Sequence, residues 1–364
     1  MAGIEILRFF AALSILIWHY QHFFFEGACD IDIAQPMRPG FPFYGMLAML
    51  YNYGHASVQV FWVISGFVFM RRYYEAISQA TISFEEFAIR RFSRLYPLHI
   101  VTLAAVIVLQ HAYLGLHPEQ FIYQHDTATN FVAQLFMASN WFAERPLSFN
   151  GPVWSVSVEL LVYALFYAVL RPIKIEALQS PISRTAIAAM AVALLSYGVK
   201  VLTPSVLMCG MFFMCGCFAE RICAKPVAVK AWLAALAVAA LGLGAAHIIP
   251  TGVVILVVAV SATIAAAHLD ALVPTGLLGH AARLGNATYS SYLLHFPLQL
   301  VAVIFVDSYG LGRDVFREPA VFLGFMGVTI ALSLATYHWF EVPAQRWLRA
   351  AWRVGSSSRH QAAA

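Results

Sequence analysis

Charge is what this sequence has least of. Only 11% of its 364 residues are charged, 61% are hydrophobic and the mean hydropathy is +0.74, whereas a soluble domain carries about 25% charge. That excludes a water-soluble globular protein and describes a chain that crosses a membrane many times. The net charge of +4 gives no reason to expect nucleic acid as a partner. Cysteine is scarce as well. The five cysteines form no CxxC pair, and Cys209, Cys215, Cys217 and Cys223 share one apolar segment as small core hydrophobes. No disulfide framework follows from them. The start of the chain has no basic stretch ahead of its apolar run, so it reads as a first span rather than a cleaved signal. Internal repeats, low-complexity tracts and a second soluble domain are all missing.

What is present is a series of apolar stretches near the ~20 residues a span requires. They fall at about 4–24, 55–70, 96–114, 152–170, 185–202, 205–221, 231–248, 252–269, 286–306 and 319–340. The expectation is an all-α polytopic membrane protein, a bundle of about ten transmembrane helices. Residues 131–142 are too short and polar to cross and read as a re-entrant or interfacial piece. Residues 1–350 form the membrane domain and 351–364 a disordered cytoplasmic tail. With the N terminus inside, sixteen of the 22 Lys and Arg lie on inner loops and tail and five on outer loops, with Arg8 within a span. By the positive-inside rule both termini are cytoplasmic.

Ionisable residues inside spans are expensive and point to a cavity or a partner. In "EILRFFAALSILIWH" an offset of eleven residues comes within about 20° of three full turns, so Arg8 and His19 share a face about 16 Å apart. Glu5 and His22 lie close to the same line. An Arg8–Glu5 pair near the interface would explain part of this stripe. A metal on His19 and His22 lacks a third ligand, so no metal site is assigned. In "NGPVWSVSVELLVYALFY", Ser155, Glu159 and Tyr163 recur every four residues on one helix face. Glu159 and His19 come out at similar depths below the outer surface. A carboxylate beside an imidazole is the arrangement a general base uses; a structural ion pair would look the same from the sequence.

Ser65 and Gly66 let another helix or a ligand approach the second long span closely. Arg71, Arg72, Arg90, Arg91 and Arg94 then crowd the inner boundary. Topology and lipid headgroups account for some of them. Arg91 and Arg94, three apart and just before Pro97, have the spacing of a phosphate clamp. His295 falls within a late span, as a core histidine or a functional one. Glu341 falls at an inner helix end, in position to pair with Arg346 or Arg349.

These segments, in this order, resemble the membrane-bound acyltransferase family 3. Arg8 and His19 match its Arg/Lys-x10-His first helix, Ser65–Gly66–Phe67 its SGF segment, and Arg91, Arg94 and Pro97 its arginine pair before proline. Trp154 through Glu159 match WSLSxE, Tyr292, His295 and Pro297 match YLxHxP, and Glu341–Val342–Pro343 match the terminal ExP. The chain reads "ELLVY" where many members read "EEQFY", which leaves one carboxylate there. The resemblance implies a stand-alone, multi-pass acyltransferase of the bacterial cytoplasmic membrane. Its donor would be acetyl-CoA or another acyl-CoA, and its acceptor a carbohydrate or glycosylated hydroxyl. Combined with the residues, it places CoA phosphates on Arg91 and Arg94, with Arg71 and Arg72 beside them, and the pantetheine arm passing Arg8. His19 would deprotonate the acceptor, oriented by Glu159 or another acid. A covalent acyl group on His19 or Ser65 stays open. The alternative class is a transporter or flippase of a polar or lipid-linked saccharide, which also keeps charge near the midplane.

Overall fold

The computed structural model of the chain describes residues 1–28, 31–171, 202–223, 227–272 and 282–362. The helices in chain order are α1 (Ala2–His19), α2 (Ile31–Met37), α3 (Tyr44–Tyr53), α4 (Ser57–Ser78), α5 (Phe84–Leu114), α6 (Ala128–Leu135) and α7 (Val153–Leu170). They continue as α8 (Pro204–Cys223), α9 (Val227–Ala245), α10 (Thr251–Leu272), α11 (Thr288–Ser308), α12 (Pro319–Thr336) and α13 (Val342–Ala362). Among the described residues there is no strand, only a bridge between Ala28 and Ile122. Among the described residues eight helical stretches are long and apolar enough to cross a membrane: Ala2–Phe24, Tyr44–Ser78, Phe84–Leu114, Val153–Leu170, Pro204–Cys223, Thr251–Leu269, Thr288–Ser308 and Pro319–Val354. The span expected at 231–248 falls on α9, Val227–Ala245. The one expected at 185–202 lies outside the described residues. The piece at 131–142 contributes to the eight-residue α6 and the loop after it.

Local chemistry sets several of these boundaries. Ser83 caps α5 by accepting the Glu86 N–H at 3.1 Å, with Glu85 and Glu86 in the first turn. Thr127 does the same for α6 through the Asn130 N–H at 3.2 Å. Pro297 inside α11 removes the N–H that would reach the Leu293 carbonyl one turn back. Asn150 Nδ2 donates to that carbonyl instead, at 3.1 Å, and so ties the start of α7 to the middle of α11. The helix α13 runs from Val342 to Ala362.

α1 and α11 run in parallel, with Gly285 against the Glu5 backbone at one end and His295 against His19 near the other. α7 runs opposite to them, from Asn150 beside Leu293 down to Tyr167, whose hydroxyl donates to the Ile82 carbonyl. Arg71, Arg72, Arg90, Arg91, Arg94, Arg171 and Arg349 gather at the end of the bundle away from Asn150, the separation that the loop charges suggest. The closest crossing is between α4 and α8. A Cβ on Gly66 would stand 1.8 Å from the Phe213 carbonyl oxygen, and one on Gly216 2.0 Å from that of Val63. The two backbones therefore touch, as small residues permit in membranes, and Gly66 serves helix packing rather than a ligand. Two aromatic clusters fill the interior. One, at the Asn150 end, contains Tyr20, Phe23, Tyr51, Phe296 and Phe316; the other packs Phe69, Tyr163, Phe166 and Phe213.

The loop between α5 and α7 folds over the Asn150 end, and Asp126 holds it. Its carboxylate accepts the Phe149 N–H at 2.5 Å and Gln120 Nε2 at 3.1 Å. Burial raises its pKa to about 6 from 3.8, an effect larger than that of the two hydrogen bonds. The folded state therefore holds this proton more tightly than the unfolded one. The Asp126 contribution to loop stability is present below about pH 4 and lost as pH rises through 6. We expect hydrogen exchange at the Phe149 amide, corrected for intrinsic rate, to show more opening at pH 7.5 than at pH 5. Asp126→Asn should flatten that dependence; an unchanged slope in the variant would contradict the assignment.

Candidate active site

One cavity brings together polar side chains from five of the long helices. It opens at the arginine-rich end and, together with the open solvent at its mouth, spans about 1090 Å³ of empty space. α1 contributes Glu5 and Arg8, α4 Ser65 and Arg72, and α5 Arg91 and Arg94. α7 contributes Ser155, Glu159 and Tyr163, and α11 Tyr289 and Tyr292. The four-residue repeat on α7 thus faces one space, as its periodicity implies.

The mouth is electropositive. Arg91 donates to the Tyr73 hydroxyl, and its guanidinium lies 4.9 Å from the Phe69 ring centre and 5.1 Å from that of Tyr73. Its Nε is buried with no acceptor, as is Arg8 Nε. Arg8 Nη1 reaches Glu5 at 3.4 Å, the pairing the sequence allowed. Arg71 does not join them; it lies outside the cavity lining, 3.9 Å from Glu220. Arg349, which the sequence suggested as a partner for Glu341, instead donates from α13 to Ser93 Oγ at 2.9 Å and to the Arg90 carbonyl at 3.3 Å. There it adds its charge to those of Arg72, Arg90 and Arg94. Glu341 turns inward, accepting Ser290 Oγ at 2.8 Å and Gln345 Nε2 at 3.3 Å, with Arg94 and Arg8 as its cationic neighbours. The π-helical turn Tyr337–Glu341 is what swings it off the expected helix-end position.

Deeper in, Tyr163 donates to Ser65 Oγ at 3.3 Å. The Glu159 carboxyl lies beside both hydroxyls, with Arg8 and Arg94 as nearby cations and its Oε1 unpartnered. The far end is closed by Tyr292, whose hydroxyl donates to the Pro152 carbonyl at 2.7 Å. Since its one proton is used there, the 2.7 Å contact with Ser155 has Ser155 Oγ donating to the Tyr292 oxygen.

His19 stands beyond that closure, not in the cavity lining. It is 9% exposed, its ring centre 5.0 Å from that of His22 and 4.7 Å from that of His295. The meeting of His19 with Glu159 expected from their depths is not what the fold brings about. α11 passes between them, with Tyr292 touching Ser155 on one side and His295 touching His19 on the other. The orienting group for His19 is a backbone carbonyl: Nδ1 lies 3.0 Å from the Ile15 oxygen. That oxygen can only accept, so Nδ1 carries the proton and Nε2 the lone pair. His22 is held likewise, Nδ1 lying 3.2 Å from Gln299 Oε1 while Gln299 Nε2 donates to the His19 carbonyl at 2.8 Å. The sequence reading passed over Gln299, although it is four residues after His295 on the same helix face. Tyr289 carries no local signal in the sequence, and Arg349 carries one only as a partner for Glu341. Among the described residues no group of three or more His, Cys, Asp or Glu is placed to hold a metal ion.

A family model described as an acyltransferase domain matches residues 1–338. The chain belongs to acyltransferase family 3. The chain is similar to Acyltransferase MdmB of Streptomyces mycarofaciens, 29% identical over 179 residues. That match covers 47% of this chain and 40% of the relative. No solved structure matches the chain.

The carbonyl clamp on His19 makes a spectroscopic prediction. Nitrogen NMR of the detergent-solubilised protein labelled at histidine should contain a ring protonated at Nδ1 that disappears in His19→Gln. An Nε2-protonated signal at that position would contradict the assignment.

Proposed function

We propose that the acyltransferase moves an acetyl or other short acyl group from acyl-CoA to a hydroxyl of a carbohydrate or glycosylated acceptor. The protein lies in a bacterial cytoplasmic membrane, with its N terminus and the arginine-rich mouth at the cytoplasm. The observation that carries this reading is the order of groups along one line through the bundle. Arginines stand at the mouth, hydroxyls and one carboxylate in the middle, and an oriented histidine past the deep end.

The donor's phosphates take the Arg91 and Arg94 forks, with Arg72 and Arg349 adding charge. Guanidinium suits phosphate by geometry and by weak hydration. The pantetheine arm extends past Arg8 and brings the thioester beneath Tyr292. His19 Nε2, with its lone pair outward of that point, takes the proton of the acceptor hydroxyl as general base. The Ser155 and Tyr292 hydroxyls stand where negative charge develops on the thioester oxygen. Transfer requires that this pair part, because it separates the cavity from His19. Attack by the acceptor oxygen breaks the C–S bond directly, and no acyl group on His19 or Ser65 is needed.

Membranes carrying the acyltransferase and given labelled acetyl-CoA should pass label into their carbohydrate fraction. His19→Ala should lower that transfer by about 10²-fold or more, the size of a general-base contribution. Near-normal transfer by the variant would overturn the mechanism, and label entering no acceptor in the unaltered protein would overturn the function. Arg91→Gln should raise the KM for acetyl-CoA about tenfold, as loss of a charge-assisted hydrogen bond predicts, with kcat little changed. An unchanged KM would remove Arg91 from the donor site.

A further inference from the structure

Three imidazoles meet at the outer end of α1, and they are not equivalent. His19 and His22 each have Nδ1 held by an oxygen, the Ile15 carbonyl and the Gln299 amide, which fixes their tautomers. His295 is 1% exposed, yet neither of its ring nitrogens has a hydrogen-bond partner. The Ser291 and Tyr292 carbonyls of its own helix are near but close no hydrogen bond to it. A buried imidazole with both nitrogens unpaired is costly. It is also the one ring of the three that can change tautomer without breaking a bond.

Its position gives that freedom a use. The His295 ring centre is 4.7 Å from that of His19 on one side and 5.9 Å from that of Tyr292 on the other. Tyr292 is the wall of the donor cavity. His295 thus lies between the base that gains a proton and the space in which the donor's sulfur must gain one. Expelling a thiolate beneath Tyr292, at the deep end of the cavity, is unfavourable unless a proton reaches it.

We infer that His295 relays the acceptor's proton from His19 to the leaving sulfur. This rests on the proposed acyl-CoA reading. The acceptor oxygen forms its bond to the thioester carbon as its proton passes to His19 Nε2. The C–S bond breaks with its electron pair on sulfur. His295 then gives its N–H proton to the thiolate while its other nitrogen accepts the proton from His19. The products are the ester and CoA thiol, His19 is neutral again, and His295 has exchanged tautomers. No other reactant is required.

The test separates a relay from a structural role by changing the leaving group. Membranes with the unaltered protein and with His295→Gln are given labelled acetyl-CoA, and in parallel labelled S-(4-nitrophenyl) thioacetate. The latter's leaving group is the anion of an acidic thiol and departs without a proton. Label entering the carbohydrate fraction is measured, corrected for membranes lacking the protein. With acetyl-CoA, His295→Gln should lower kcat about 10²-fold with an unchanged donor KM, since His295 does not line the cavity. With the aryl thioester it should match the unaltered protein within about twofold, whereas His19→Ala should fail with both donors. Equal losses of His295→Gln with both donors, or no loss with acetyl-CoA, would overturn the relay while leaving the function intact. Absence of transfer by the unaltered protein would overturn the function and the relay with it. Elution of the solubilised variant as a single symmetrical species checks folding; if the Gln variant does not fold, His295→Asn carries the same comparison.

Discussion

A charge inside a membrane must be compensated by what lies beside it, and α1 carries that requirement along most of its length. Arg8 and His19 stand three turns apart on one face, about 16 Å at 1.5 Å per residue, so whatever satisfies them must pack along that face. At Arg8 the answer is Glu5 at 3.4 Å, with Glu159 and Glu341 as further carboxylates nearby. At His19 it is a backbone carbonyl and two further imidazoles. The polar side chains of α4, α5, α7 and α11 are placed by this face, and the cavity is the space they leave.

The same constraint divides the interior into two chemically distinct halves. The inner half is rich in guanidinium groups and opens widely; the outer half is rich in histidine and tightly packed by Tyr20, Phe23, Phe121 and Phe296. α11 is the partition. Tyr292 closes the inner half by its bond to the Pro152 carbonyl, and Pro297 frees the Leu293 carbonyl for Asn150, which pins α7 in place. A proline in a helix interior costs about 3 kcal/mol where the freed carbonyl goes unpaired. Here the freed group is used to join two helices that both line the site.

Much of this was legible in the sequence because it depends on local periodicity. The shared face of Ser155, Glu159 and Tyr163 and the clustering of Arg72, Arg91 and Arg94 at one end follow from helical spacing and loop charge. The cavity uses all of them. What could not be read depends on contacts between distant segments. Depth along two helices does not show whether a third passes between them, so similar depths allow Glu159 and His19 to meet where α11 separates them. A glycine next to a serine reads equally well as ligand approach or helix crossing, and only the Phe213 carbonyl shows which one Gly66 serves. Arg71 and Arg72 are adjacent and identical in type, yet successive helix positions point about 100° apart, so one reaches Glu220 and the other the cavity. The π-turn that carries Glu341 inward leaves no compositional trace.

The central claim is that the donor enters from the arginine-rich, cytoplasmic side and that transfer occurs across the α11 partition. Sealed membrane vesicles of opposite orientation test it most directly. With labelled acetyl-CoA, which does not cross lipid, added outside, inside-out vesicles should acylate their carbohydrate fraction and right-side-out vesicles should not until made permeable. Equal labelling in both, or labelling in the right-side-out vesicles alone, would contradict the account.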